Sequence, residues 1–385
     1  MRYTTIFNII ACLGLFWLSP SKAAPLPDIQ AVYIALSDSD SSTPTLGNLY
    51  MMSGRALHGW LVIKTRWKGK TVYFSKAPKI KKGRRNITTQ PWPSQTFGAI
   101  SIQYAKLEPD ILSQGIYDNT GRMEPLWHPE ERKDHPQKWH WCPISYTETV
   151  VARSSKNWTV ALDTKPTKGE GHTDLGTMRY VAKAEWKGHT YWSAGKDYRD
   201  KTGVRPGIAM VRVRRDNSEV GYMTELMNVP YVYGSSSSSG KLSDHQTERA
   251  VGADCADLIV YGWRRAGRKI KYTWSQGLKA YTRRTAHVHS LVSERYRKGD
   301  GSAIEFGRDI RVGDIILWNR HVAVIASVDP SGFLTPNTPI LHTIMETPSL
   351  TKLSDVGFGF SAPPFQIRRP RWRKKQSHRN RTAQR

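Results

Sequence analysis

Cysteine is scarce in this chain of 385 residues: Cys12, Cys142 and Cys255 are all there is. Once a cleavable leader carrying Cys12 is removed, the chain can form at most one disulfide, Cys142–Cys255. No Gly-rich phosphate loop is present, and no His/Cys spacing matches a standard zinc module. Long apolar runs are missing too, outside the first residues, so no later segment reads as a transmembrane helix. Acids are in short supply: 32 Asp and Glu stand against 58 Lys and Arg, a net charge of +26. Such a surface attracts polyanions.

The start, MRYTTIFNIIACLGLFWLSPSKAAP, has the order of a secretory leader. Arg2 supplies the positive end, Ile9 to Leu18 an apolar run too short to span a bilayer comfortably, and Ser21-Lys22-Ala23 a small-residue cleavage site. Cleavage after Ala23 gives a signal peptide of residues 1–23 and a mature charge of +24. A retained anchor is the alternative. A lipoprotein reading at Cys12 conflicts with the apolar run continuing past it. Export makes cell-wall polymers and anionic headgroups the expected polyanions, with no nucleic acid as partner and no membrane span after leader removal. The protein is then periplasmic, extracellular or wall-associated.

Residues 24–217 read as β-rich. WLVIKTRW (60–67), KTVYFS (70–75), AISIQYA (99–105) and GIAMVRVRR (207–215) have strand-like residues between Gly, Pro and Ser/Asp clusters. Lys64, Trp67-Lys68-Gly69 and Thr71 recur 119 residues later as Lys183, Trp186-Lys187-Gly188 and Thr190. The echo predicts two related β-modules, SH3-like or sandwich, or one sandwich with duplicated halves. Between the copies, His128, His135, His140 and Cys142 lie among Trp127, Trp139 and Trp141, which reads as a packed aromatic loop rather than a metal site.

The texture changes near Asn217. Asn217 or Ser218 can cap a helix running through Met227, and residues 218–367 are expected to form one α+β unit. From Arg368 to Arg385 there are nine Lys and Arg and no acid, a tail expected to be disordered or bound to a polyanion. KIKKGRR (79–85) is a second basic stretch.

GADCADLIVYGWRRAG (252–267) places Cys255 at the start of a helix that Gly267 ends. Unpaired N–H groups there favour a thiolate, the species that attacks a carbonyl. In RVGDIILWNRHVAVIASVDPSG (311–332), Ile315–Trp318 and His321–Val328 read as strands, with His321, Ala323, Ile325 and Ser327 on one face. ILHTIMETP (340–348) is a third, with His342, Ile344 and Glu346 on one face. If the strands are neighbours, one histidine takes the thiol proton and the second orients it, with Glu346 as a substitute orienter.

PYVYGS (230–235), DCADL (254–258), GDIILW (313–318) with HVAVI (321–325), and ILHTIM (340–345) stand in the order found in the NlpC family of cell-wall cysteine peptidases, which residues 219–350 resemble. The resemblance implies a papain-like α+β fold, with a Cys-bearing helix packed on an antiparallel sheet. By the same resemblance Cys255 is the nucleophile, His321 the base and His342 the orienter, while Tyr231 and Asp254 shape the substrate pocket and bind a stem-peptide amine. Ala256-Asp257 stands where the family has Ser-Gly. The expected function is that of an exported endopeptidase cutting peptidoglycan stem peptides, with no cofactor and no metal. The alternatives are an amidase or acyltransferase using the same Cys–His site, or a non-enzymatic wall-binding protein.

Overall fold

The computed structural model describes residues 25–38, 43–110, 117–120, 141–142, 144–167 and 174–371. The leader, His128, His135, His140 and the tail beyond Arg371 lie outside the described residues.

Two large sheets make the first half. In one, β1 (Asp28–Asp38) pairs antiparallel with β2 (Leu57–Trp67), which pairs with β3 (Lys70–Phe74). In the other, β4 (Ser101–Pro109) pairs antiparallel with β5 (Gly176–Trp186), which is flanked by β6 (His189–Trp192) and β7 (Ala209–Arg214). β1 packs against β5, β6 and β7. The core between the sheets is apolar and aromatic, with Ile34, Leu61, Phe74, Phe97, Tyr104 and Tyr180 almost wholly removed from water.

The Trp-Lys-Gly echo is an echo of structure. Each copy turns a hairpin, β2 into β3 and β5 into β6, with Trp67 opposite Lys70 and Trp186 opposite His189. The central residues are left-handed in both, Lys68 and Gly69 at φ 50° and 75°, Lys187 and Gly188 at 49° and 79°. Two left-handed residues in a two-residue loop match the right-handed twist of the flanking strands, which is why glycine stands second in each.

After β7 the chain makes a short helix, α1 (Glu219–Met223), capped by the Ser218 hydroxyl accepting from the Gly221 N–H. The helix expected through Met227 stops early, and a 3-10 turn (Thr224–Leu226) completes the segment. Then comes α2 (Cys255–Arg265). Asp254 caps its start, accepting from the Ala256 and Asp257 N–H groups at 2.9 Å each, a cap worth about 1 kcal/mol. Its end is a Schellman motif: Gly267 at φ 87° donates to Arg264 O and Arg268 to Trp263 O. At Gly262 the helix meets α1 so closely that a Cβ would lie 2.5 Å from Glu219 O.

One face of α2 lies on a six-stranded antiparallel sheet ordered β8 (Thr282–Val288), β13 (Phe365–Pro370), β9 (Ile315–Leu317), β10 (Val322–Ile325), β11 (Pro339–His342), β12 (Ser349–Lys352). Alternation along β10 serves two cores. Val322 and Val324 pack with α2, while Ala323 and Ile325 pack on the opposite face.

The expected papain-like α+β fold is overturned. Strands account for 44% of the structure and helical residues for 12%, the strands form several sheets, and one sheet curves almost into a barrel. Among the described residues α2 is the one α-helix longer than five residues. The stretch 268–312 adds no α-helix, only a 3-10 turn (Ser275–Tyr281) and short strands. The boundary of the basic tail also moves. Arg368 and Arg369 belong to β13: Arg368 donates to Thr282, and Arg369 makes a two-pronged ion pair with the buried Asp314 carboxylate at 2.7–3.2 Å. Thr282 for Arg368 and the Asp314 carboxylate for Arg369 hold these two arginines in the sheet, out of an otherwise acid-free run.

The halves interlock through buried polar groups. Arg179 on β5 donates to the carbonyls of Arg249 and Ala250, and Arg212 on β7 to the Tyr261 hydroxyl on α2. Glu225, fully buried, accepts from Tyr261 and Arg265.

Candidate active site

A cleft of about 380 Å³ opens at the start of α2. Tyr231, Asp254, Cys255 and His321 line it. His342 stands directly behind His321, with His321 Nε2 3.2 Å from His342 Nδ1. The structure thus brings all five expected site residues together from four separate segments.

Local structure fixes each one. Cys255 is the first residue of α2, 9% exposed. His321 immediately precedes β10, and its carbonyl accepts from the Trp318 N–H, closing the β9–β10 turn. Strand β10 ends at Ile325, sooner than expected, although Ile325 still exchanges backbone bonds with Gly313 and Asp314. His342 is the last residue of β11. Neighbouring register, Val324 opposite Leu341 and Ile325 opposite Ile340, brings the two imidazoles to the same end of the sheet. Ile344 and Glu346 lie beyond the strand, on either side of Met345, which is left-handed at φ 59°. Glu346 lines an adjoining cavity with His342 rather than facing His321.

Aromatic rings hold His321. Trp318 stacks on it at 5.3 Å between centroids and 18° between planes, and Phe360 covers it at 5.0 Å. Its Nε2 is engaged by His342, but its Nδ1 is buried with no hydrogen-bond partner. A buried polar nitrogen left unpaired costs about 1–3 kcal/mol. For Nδ1 to accept a proton, Nε2 must carry the hydrogen and donate to His342 Nδ1.

The electrostatics favour neutral groups. Burial pushes the Cys255 thiol well above its usual range and the Asp254 charge adds to this, while the Val322 N–H works against them. Burial, with His342 beside it, holds His321 well below the ordinary histidine value. Burial alone lowers His342 to about 4. Asp254 rises to about 6 through burial, opposed by the amides of Asp257 and Ala256. Asp257, buried and bonded to the Ser235 hydroxyl, is raised further by burial and by Asp254.

The expectation of a resting thiolate at the helix start is therefore corrected. The Ala256 and Asp257 N–H groups both bond the Asp254 carboxylate, which adds negative charge beside the sulfur, and burial outweighs the help that the Ala256 and Val322 N–H groups still give the thiolate. Of the helix-start donors, Cys255's own N–H is left for a developing oxyanion. Both cysteines are free, which rules out the Cys142–Cys255 disulfide.

Tyr231 is buried against this group, and its hydroxyl is raised well above the usual range by burial and by Cys255. The motif reading missed the ring clamp of Trp318 and Phe360. Trp318 sits inside GDIILW, but its contact with a residue three positions on is set by the β9–β10 turn. Phe360 arrives from a distant loop and carries no local signal. Among the described residues no group of three His, Cys, Asp or Glu could hold a metal ion, and no helix is long and apolar enough to cross a membrane.

No protein-family model, no curated protein and no solved structure matches this chain.

Proposed function

We propose that the chain is a cysteine-dependent amide hydrolase acting on peptidoglycan stem peptides, exported by its leader and drawn to the envelope by its positive charge. The observation that carries this reading is the buried, unpartnered Nδ1 of His321 in the same cleft as Cys255, with its Nε2 tied to His342. With the hydrogen on Nε2 and donated to His342, the neutral imidazole presents Nδ1 as a general base. The ordered segments resembling the NlpC family, the secretory leader and the net charge of +26 point to the wall as substrate.

The dyad starts as thiol and imidazole. Attack of the sulfur on the amide carbonyl is coupled to transfer of the thiol proton to His321 Nδ1. The oxyanion forms beside the Cys255 N–H. Collapse breaks the C–N bond, His321 Nδ1–H protonates the leaving amine, and a thioester remains on Cys255. Water, deprotonated by His321, attacks the thioester and releases the acid and the free thiol. Asp254, at the cleft wall, meets the stem-peptide amine.

Digestion of purified peptidoglycan by the wild type and by Cys255→Ala, with products identified by mass spectrometry, tests the reading. New amine and carboxyl termini at one stem-peptide bond, absent with the variant, are expected. An undigested wall, or equal digestion by both, contradicts it.

A further inference from the structure

The rim of the cleft carries two large apolar side chains that folding does not bury. Trp274 is 69% exposed, the most exposed large hydrophobic residue among those described, and Phe358 is 53% exposed. Trp274 caps the 3-10 turn Ser275–Tyr281, its carbonyl accepting from the Gly277 N–H at 2.9 Å. A Cβ at residue 277 would lie 2.1 Å from Thr273 Oγ1 and 3.2 Å from the indole Cδ1, so the turn closes tightly here on a bare backbone.

Beside the indole, on the same rim, stand Asn319 and Arg320, both exposed. They are not an independent loop. Gln276 Nε2 donates to Trp318 O at 2.6 Å and to Asn319 O at 2.8 Å, tying the Trp274 turn to the segment that carries them. The Trp274 turn and the Asn319–Arg320 segment are thus joined on one rim, an exposed indole on one side and an exposed amide and guanidinium on the other.

An exposed indole sharing a cleft rim with an amide and a guanidinium fits a ligand with one apolar face and a hydroxyl edge. A pyranose has that shape: its C–H face stacks on indole, and its hydroxyls bond to amide and guanidinium groups. An acyl chain needs enclosure that an open rim lacks, and an apolar peptide side chain makes no use of Asn319 and Arg320.

We propose that Trp274, Asn319 and Arg320 form a pyranose subsite. It holds the hexosamine next to the stem peptide, so the preferred substrate is a stem peptide still attached to its glycan strand. The identity of the sugar rests on the function proposed above; the subsite itself does not.

The test has two arms. In the first, Cys255→Ala protein is titrated with the peptide-free disaccharide of N-acetylglucosamine and N-acetylmuramic acid, followed by tryptophan fluorescence. Saturable binding is expected, weakened about tenfold by Trp274→Ala and largely retained by Trp274→Phe. In the second, Trp274→Ala in the active enzyme should lower kcat/KM about tenfold on disaccharide-linked stem peptide and leave free stem peptide unchanged. Absence of disaccharide binding overturns the subsite, as does an equal loss on both substrates, which would make Trp274 a peptide contact. If the wild type cuts neither substrate, the hydrolase reading fails while the titration still decides the subsite.

Discussion

The two halves of the molecule bury different things. Between β1 and β5 the interior is a continuous apolar and aromatic layer in which each Trp-Lys-Gly hairpin repeats the other's geometry. At the start of α2 the interior gathers Cys255, Asp257, His321 and His342, all buried, with Asp254 beside them. The first arrangement is explained by folding, since removal of apolar area from water stabilises it. The second is not: a thiol, two imidazoles and two carboxyl groups are gathered out of water around one cleft, each displaced toward its neutral form. A fold tolerates such a cluster where chemistry uses it.

Substitutions should separate the halves cleanly. Cys255→Ala is expected to remove amide hydrolysis by at least about a thousandfold while thermal unfolding stays unchanged. His321→Ala should fall in the same range. His342→Ala should lose about 10–100-fold in kcat with little change in KM, since it acts by holding the tautomer of His321. Equal losses from His321→Ala and His342→Ala would place the base role on the pair instead.

The pH dependence sharpens the same contrast. His321 works as a neutral base and its folded value lies well below 6.5. Activity should therefore stay level as pH falls through 6.5 and decline only as the depressed value is approached. For stability the sign is the same. A histidine depressed on folding contributes above its unfolded value near 6.5, and that contribution is lost as pH falls toward the folded value. For His342 the window runs from about 6.5 to about 4. Thermal melts across this range on the wild type and on His342→Gln should show a smaller acid loss in the variant.

Two further changes probe the framework. Arg369→Ala strands the buried Asp314 carboxylate and is expected to cost about 3–5 kcal/mol in denaturant unfolding. Gly69→Ala and Gly188→Ala each force a side chain into a left-handed turn and should cost about 1 kcal/mol apiece. Unequal costs would break the equivalence of the two hairpins.

What could be read in the sequence divides along the same line. The Cys255 helix was legible because Asp254, the apolar period and Gly267 are local signals acting within a dozen residues. The duplicated hairpins were legible because a two-residue turn with glycine second leaves a short, repeatable mark. The histidine pair was legible as two strands with the right alternation, though both strands end sooner than alternation suggested. The fold class was not, because one strong helix was extended to a whole α+β unit, while most of the chain forms short strands whose pairing partners lie far away in sequence. Arg369 was misplaced for a related reason, since its charge partner Asp314 is 55 residues distant. The protonation state of Cys255 was misjudged because a capping carboxylate and burial outweigh the helix start.

The central claim is that Cys255 forms a thioester with proton transfer to His321 Nδ1. A disaccharide-linked stem peptide mixed with excess enzyme, quenched in acid within milliseconds and followed by intact-protein and peptide mass spectrometry, tests it directly. The account predicts a transient acyl adduct on Cys255 that hydroxylamine removes and that does not form in His321→Ala. Amide cleavage with no adduct on Cys255, or an adduct forming at the wild-type rate in His321→Ala, would contradict it.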